Sequence, residues 1–210
     1  VYLQTLQSEG YVVNEDGEYR LSLRFLEVGG ETRKRLSIYQ TARSEVDALS
    51  AETGEVANLG VEDDGKRVLL YTSEPSEGMY DNSPTGQYTH MHWTALGKAL
   101  FARLPDDRVE EIVDEHDLPR ATENTITDRA SLFEELDRIR ERGYSVENEE
   151  RREGIKSVAV PVNDDRDRAP ISAVSISGPK RRIGEDSVDD DLLDAVKDAV
   201  NIIELKYKHY

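Results

Sequence analysis

The segment VANLGVEDDGKRVLLYTS, residues 56–73, reads as a strand, a two-residue turn and a second strand. Asp64-Gly65 supplies a residue pair that tolerates positive φ, set between runs rich in Val and Leu, and this is the signal of a type I′ hairpin. A second pair of strands lies far downstream. SVAVPV (157–162) and APISAVSISGP (169–179) are joined by the polar turn NDDRDR (163–168). GYSVENEE (143–150) adds a strand that runs into an acidic loop. Hairpins outnumber strand–helix–strand crossovers, so the expected class is α+β, an antiparallel sheet flanked by helices, not a doubly wound parallel sheet.

Working outward, residues 26–53 form one long helical pattern, with Leu36, Tyr39, Ala42, Val46 and Leu49 on a common stripe. Gly29-Gly30 is the expected place for a kink or division. Residues 74–93 read as irregular. Thr94 is a good N-cap for ALGKALFARL, and Pro105-Asp106 ends that helix and opens another through His116. A further helix is expected from a cap near Thr127 to Gly143, and a last amphipathic one from about Asp189 to Tyr207. The N-terminal VYLQTLQSEG has Leu3 and Leu6 one turn apart and Gly10 suited to a helix end. YVVNEDGEYRLSL then reads as a hairpin around Asp16-Gly17. A helix end and one short hairpin are too little to fold alone, so residues 1–24 are expected to be the tail of a domain whose earlier helices precede Val1.

Composition narrows the function classes. No run approaches the ~20 apolar residues of a membrane span, and Val1 opens directly into periodic sequence without a signal peptide, so the expected location is the cytoplasm. With no cysteine there are no disulfides and no thiolate metal ligands. The net charge is −17, with 44 acidic against 27 basic residues. Only 8 of the basic residues are Lys, and the acids are spread over periodic helices and strands; this is a surface suited to concentrated salt. Residues 1–40 carry 5 basic and 6 acidic side chains, net −1; residues 41–210 carry 22 and 38, net −16. The first 40 residues are therefore the part least hostile to an anionic partner such as DNA.

Candidate binding chemistry gathers in three places. In TGQYTHMHWTALGKAL (85–100) a loop enters a helix capped by Thr94, leaving the N–H groups of Ala95, Leu96 and Gly97 without intrahelical acceptors, where the helix dipole favours an anion. In SISGP, Ser175 and Ser177 share one strand face. Ser157 is placed to add a third hydroxyl from the next strand, and Glu147 a carboxylate at the rim. His90 and His92 lie two apart on an extended segment, but no Cys or HExxH pattern supports a metal. There is no GxSxG elbow and no P-loop, so catalysis has no frame. A hydrolase on this fold and a stand-alone sensor without DNA binding are the alternatives.

THMHWTALGKALFARLP (89–105), TENTITDRASLFEELDRIRERGYSVENEERREGIKSVAVPV (122–162) and AVSISGPKRRI (173–183) resemble, in order and spacing, the effector-binding domain of IclR-type transcription regulators. YLQTLQSEGYVVNEDGEYRLSL (2–23) resembles the end of that family's recognition helix plus its wing. The resemblance implies the C-terminal part of a winged helix-turn-helix over 1–24, a linker helix over 25–40, and a GAF-like effector-binding domain over 41–210. It implies a DNA-binding regulator, not an enzyme, that needs no cofactor and forms a homodimer or homotetramer. Its effector would be a small metabolite, a carboxylate or sugar acid. The family's pocket positions fall on Ala95, Leu96, Glu147, Ile155, Ser157, Ser175 and Ser177. Two departures bear on effector size: His90 stands where Pro is frequent, and Trp93, expected to bind effector by filling part of the pocket or covering its mouth, stands where a small residue is usual.

Overall fold

The computed structural model describes residues 2–75, 83–163 and 170–208. Two compact units emerge, Val1–Gln40 and Thr41–Tyr210.

In the first unit, helix α1 (Tyr2–Ser8) ends at Gly10, whose φ of 77° is the left-handed conformation a helix terminus needs, and the Tyr11 N–H closes back on the Leu6 carbonyl at 2.8 Å. Strands β1 (Val12–Glu15) and β2 (Glu18–Leu21) pair antiparallel about Asp16-Gly17, both at positive φ. Helix α2 (Arg24–Lys34) follows, with the Arg24 guanidinium bonded to the Glu9 carbonyl and set over the Tyr11 ring. The long helical pattern is divided, but not at the glycine pair. Gly29 and Gly30 lie inside α2, and the break comes at Arg35-Leu36, before α3 (Ser37–Thr53). A glycine costs a helix only about 1 kcal/mol and keeps its N–H, so it need not end one.

The second unit is built on a six-stranded antiparallel sheet in the order β5-β4-β3-β8-β7-β6. Its strands are β3 (Val56–Asp63), β4 (Lys66–Ser73), β5 (Tyr88–Thr89), β6 (Ser145–Asn148), β7 (Ile155–Val162) and β8 (Ser172–Pro179). The α+β antiparallel expectation holds. Asp64 and Gly65 make the expected turn at φ 53° and 71°. The register shifts between Leu59 and Gly60, so Leu70 has no partner across β3 and the sheet bends there. Within the stretch read as irregular, residues 76–82 lie outside the described residues, and the remainder contains β5 and a 3-10 turn, Met91–Trp93. Most of the NDDRDR turn also lies outside them.

Three helices cover one face of the sheet: α4 (Ala95–Phe101), α5 (Asp106–His116) and α6 (Arg129–Arg142). Leu96, Leu100, Phe101, Val109, Leu132 and Leu136 form one core with Ala159 and Ala173 of the sheet. Thr94 caps α4 as expected, its Oγ1 accepting from the Gly97 N–H at 3.0 Å. The cap of α6 is Asp128, one residue beyond the expected Thr127, because its carboxylate reaches the Ser131 N–H at 2.9 Å. Two glycines are sterically required. A Cβ on Gly60 would lie 2.4 Å from Leu96, and one on Gly97 would lie 2.2 Å from the Met91 carbonyl, so α4 sits close only because both are absent. The other face of β7 and β8 receives α8 (Asp190–Tyr207). A four-residue helix, α7 (Lys180–Ile183), was not legible in the sequence.

Candidate functional site

Strand register lays two polar rows across the sheet on the side of α4. Glu147 faces Ser157, and Ser157 faces Ser177, in adjacent strands. One step along, Ala159 pairs with Ser175, and Ser175 with Asn58. Between these rows and the start of α4 lies a cleft. Leu96, Glu147, Ile155, Ser157, Ser175 and Ser177 line it, brought together from four separate segments. Ala95 and Trp93 do not. Ala95 is fully buried, and its carbonyl accepts from the Ser145 hydroxyl. Trp93 is turned toward the α5–α6 loop, where its Nε1 donates to the Pro119 carbonyl at 2.7 Å.

His92 Nε2 approaches the same carbonyl at 3.0 Å. A carbonyl only accepts, so Nε2 carries the proton. Burial depresses the His92 pKa to about 4, keeping the ring neutral at physiological pH. The His90 ring packs on Trp93 with centroids 4.7 Å apart. These rings therefore form a packed aromatic cluster, with one His92 nitrogen already committed.

The cavity also holds residues that sequence reasoning missed: Asn58, Arg67, Thr94, Arg151 and Arg152. Arg67 is 3% exposed and shares strand parity with Leu69, which lies in the core. A charged residue at a core-facing strand position is the signal that could have found it. Asn58 donates to Ser177 Oγ at 3.4 Å and accepts from Thr72 Oγ1 at 3.0 Å. Arg151 and Arg152 sit in the β6–β7 loop, whose acidic composition gave no periodic cue.

Two carboxylates shape that loop. Glu147 accepts from the N–H groups of Glu150 at 2.9 Å and Arg151 at 3.3 Å, and from Ser157 Oγ at 2.8 Å. Burial, reinforced by the Glu150 charge and opposed by these bonds, pushes its pKa up to about 7. Glu150 accepts two bonds from Lys98 Nζ, at 2.7 and 2.8 Å, and Glu135 of α6 lies 3.7 Å from the same ammonium. Lys98 is 1% exposed. Lys98 is thus paired with two carboxylates, which ties α4, the β6–β7 loop and α6 together.

The family profile described as "Bacterial transcriptional regulator IclR C-terminal" matches residues 31–205. The chain belongs to the IclR family. This IclR-family chain is 34% identical over 188 residues to the HTH-type transcriptional regulator KdgR of Dickeya chrysanthemi, covering 89% of this chain and 61% of that protein. It therefore spans about three fifths of that relative's length. Its fold superposes on the Thermotoga maritima IclR with a TM-score of 0.82 at 30% identity, over 98% of this chain and 83% of that one. An IclR homologue from Microbacterium hydrocarbonoxydans, solved with 4-hydroxybenzoate, has the same fold at TM-score 0.80 and 21% identity, with 99% and 83% covered. The curated relatives are named as transcriptional regulators, not enzymes. Among the described residues no helix is long and apolar enough to cross a membrane.

Proposed function

We propose that this chain carries the effector-binding domain of a ligand-responsive, DNA-binding transcription regulator, and that its effector is a small hydroxylated carboxylate, such as a sugar acid or hydroxy acid. One observation carries the reading. In a chain of net charge −17, this cavity gathers Arg67, Arg151 and Arg152 around three serine hydroxyls, with Glu147 the only lining carboxylate among the described residues. A guanidinium presents parallel N–H donors that match a carboxylate, and hydroxyls match the ligand's own hydroxyl groups. The 4-hydroxybenzoate held by the Microbacterium homologue is an acid of this class.

DNA contact is assigned to residues 1–24 as the end of a winged helix-turn-helix, joined through a linker helix over 25–40 to the effector domain over 41–210. The regulator acts in the cytoplasm as a homodimer or homotetramer, and effector binding shifts the arms between two geometries. The test is a calorimetric panel of gluconate, pyruvate and 4-hydroxybenzoate against the matching neutral amides. At least one acid should bind where its amide does not, and should change the footprint of the full-length regulator on an inverted repeat. Amides binding as tightly as acids would defeat the proposal.

A further inference from the structure

Glu147 is an awkward neighbour for an anion. It is 2% exposed and lines the cavity, and among the described residues no cation lies at ion-pair distance from it. An ionised carboxylate can only accept, so the Ser157 hydroxyl, 2.8 Å away, must donate to it. That bond turns the only hydroxyl proton of Ser157 away from an incoming ligand. The ionised group also places a negative charge beside the ground where the arginines draw another. Protonation removes both obstacles. A Glu147 O–H would donate to Ser157 Oγ, leaving the Ser157 proton to point into the cavity.

We infer that the cavity takes up its carboxylate together with one proton, which Glu147 holds, so that Ser157 switches from donating to Glu147 to donating to the ligand. This rests on the carboxylate reading and says how that site is regulated. The proton comes from solvent, and an O–H bond on Glu147 is the only covalent bond formed.

The surroundings make the switch available near neutral pH. From α4, Lys98 faces Glu147, but its charge is held by Glu150. The β6–β7 loop contributes Glu150, Arg151 and Arg152, and β4 contributes Arg67. The lining residues of β3, β7 and β8 are neutral: Val56, Asn58, Ile155, Ser157, Ser175, Ser177 and Gly178. Burial is the largest influence and holds the free carboxyl at about 7.

Calorimetry of the full chain with gluconate, pyruvate and 4-hydroxybenzoate tests this at about pH 6 and about pH 8, in two buffers of different ionisation heat. At about pH 8 close to one proton should be taken up per ligand, and affinity should fall by up to about tenfold per pH unit above neutrality. Glu147→Gln should abolish the proton uptake and flatten the pH dependence. Binding with equal affinity at both pH values and no proton uptake overturns the inference while the carboxylate reading stands. No heat from any of the three probes at about pH 6 overturns both. If the variant does not fold, infrared spectra of the wild type decide: a protonated carboxyl band should be present at about pH 6 and persist at about pH 8 only with the probe bound. Its absence at the lower pH overturns the inference.

Discussion

The two faces of the β7–β8 pair are equally buried and chemically opposite. Toward α8 the strands present Val158, Val174 and Ile176, each 0% exposed. Toward α4 they present Ser157 and Ser175, at 6% and 3%, beside Glu147 at 2%. Burial alone therefore does not separate scaffold from site. An apolar face returns its full transfer free energy, roughly 25 cal/mol per Å². A polar face at the same depth has to find partners for its hydroxyls and charges. Asn58, Ser177 and Glu147 find some within the protein, and the rest of their capacity is directed at the cavity. The same strand period of two produces both surfaces.

The ionic network behind the polar face should respond most strongly to substitution. Lys98→Met would leave Glu150 and Glu135 buried without their ammonium, and should destabilise the fold by about 3–5 kcal/mol in chemical denaturation. A smaller loss would mean that the β6–β7 loop reorganises to hydrate its carboxylates. Next come the two faces themselves. Ile176→Ala should cost about 2–5 kcal/mol of stability and leave effector affinity unchanged, because the cavity it opens is on the dry side. Ser175→Ala, one residue earlier, should leave the melting temperature almost unchanged and weaken effector binding by about 1–3 kcal/mol. Equal effects of the two on stability would erase the distinction between the faces.

The smallest expected effect sharpens the role of Glu147. Its carboxyl is raised from 4.5 to about 7 on folding, so the folded state holds the extra proton between those values. That stability is complete at low pH and lost as pH rises through about 7. Unfolding titrations should therefore show wild type losing about 1–3 kcal/mol relative to Glu147→Gln between about pH 5 and about pH 8. Parallel curves for the two proteins would mean that Glu147 is already ionised in the folded state at the lower pH.

Much of this was legible along the chain because it depends on near neighbours. The turn at Asp64-Gly65, the Thr94 cap and the Gly143 helix end each follow from the conformational preference of one or two residues. The serines of SISGP could be placed on one face because side chains alternate along a strand. Local rules misplaced the break in the long helix, which falls at Arg35-Leu36 and not at the glycines. They also could not see α7, whose KRRI turn is held by partners distant in sequence: Arg182 bonds the Gly54 carbonyl at 2.7 Å, and Lys180 bonds Glu149 at 2.6 Å.

Local preference, periodicity and motif order were enough for the antiparallel α+β class, the family, and the residue types from which the cavity is made. Which of them meet depends on the packing of the strands and helices. Asn58 and Ser177 are 119 positions apart, yet hydrogen-bonded between neighbouring strands. Arg67 enters the cavity from β4, and Arg151 comes to it from a loop that composition described only as acidic. Trp93, close in sequence to the cavity-lining Leu96, turns instead to Pro119. Periodicity records which face a side chain occupies, whereas strand order, register and the close seat of α4 at Gly60 and Gly97 determine what stands opposite it.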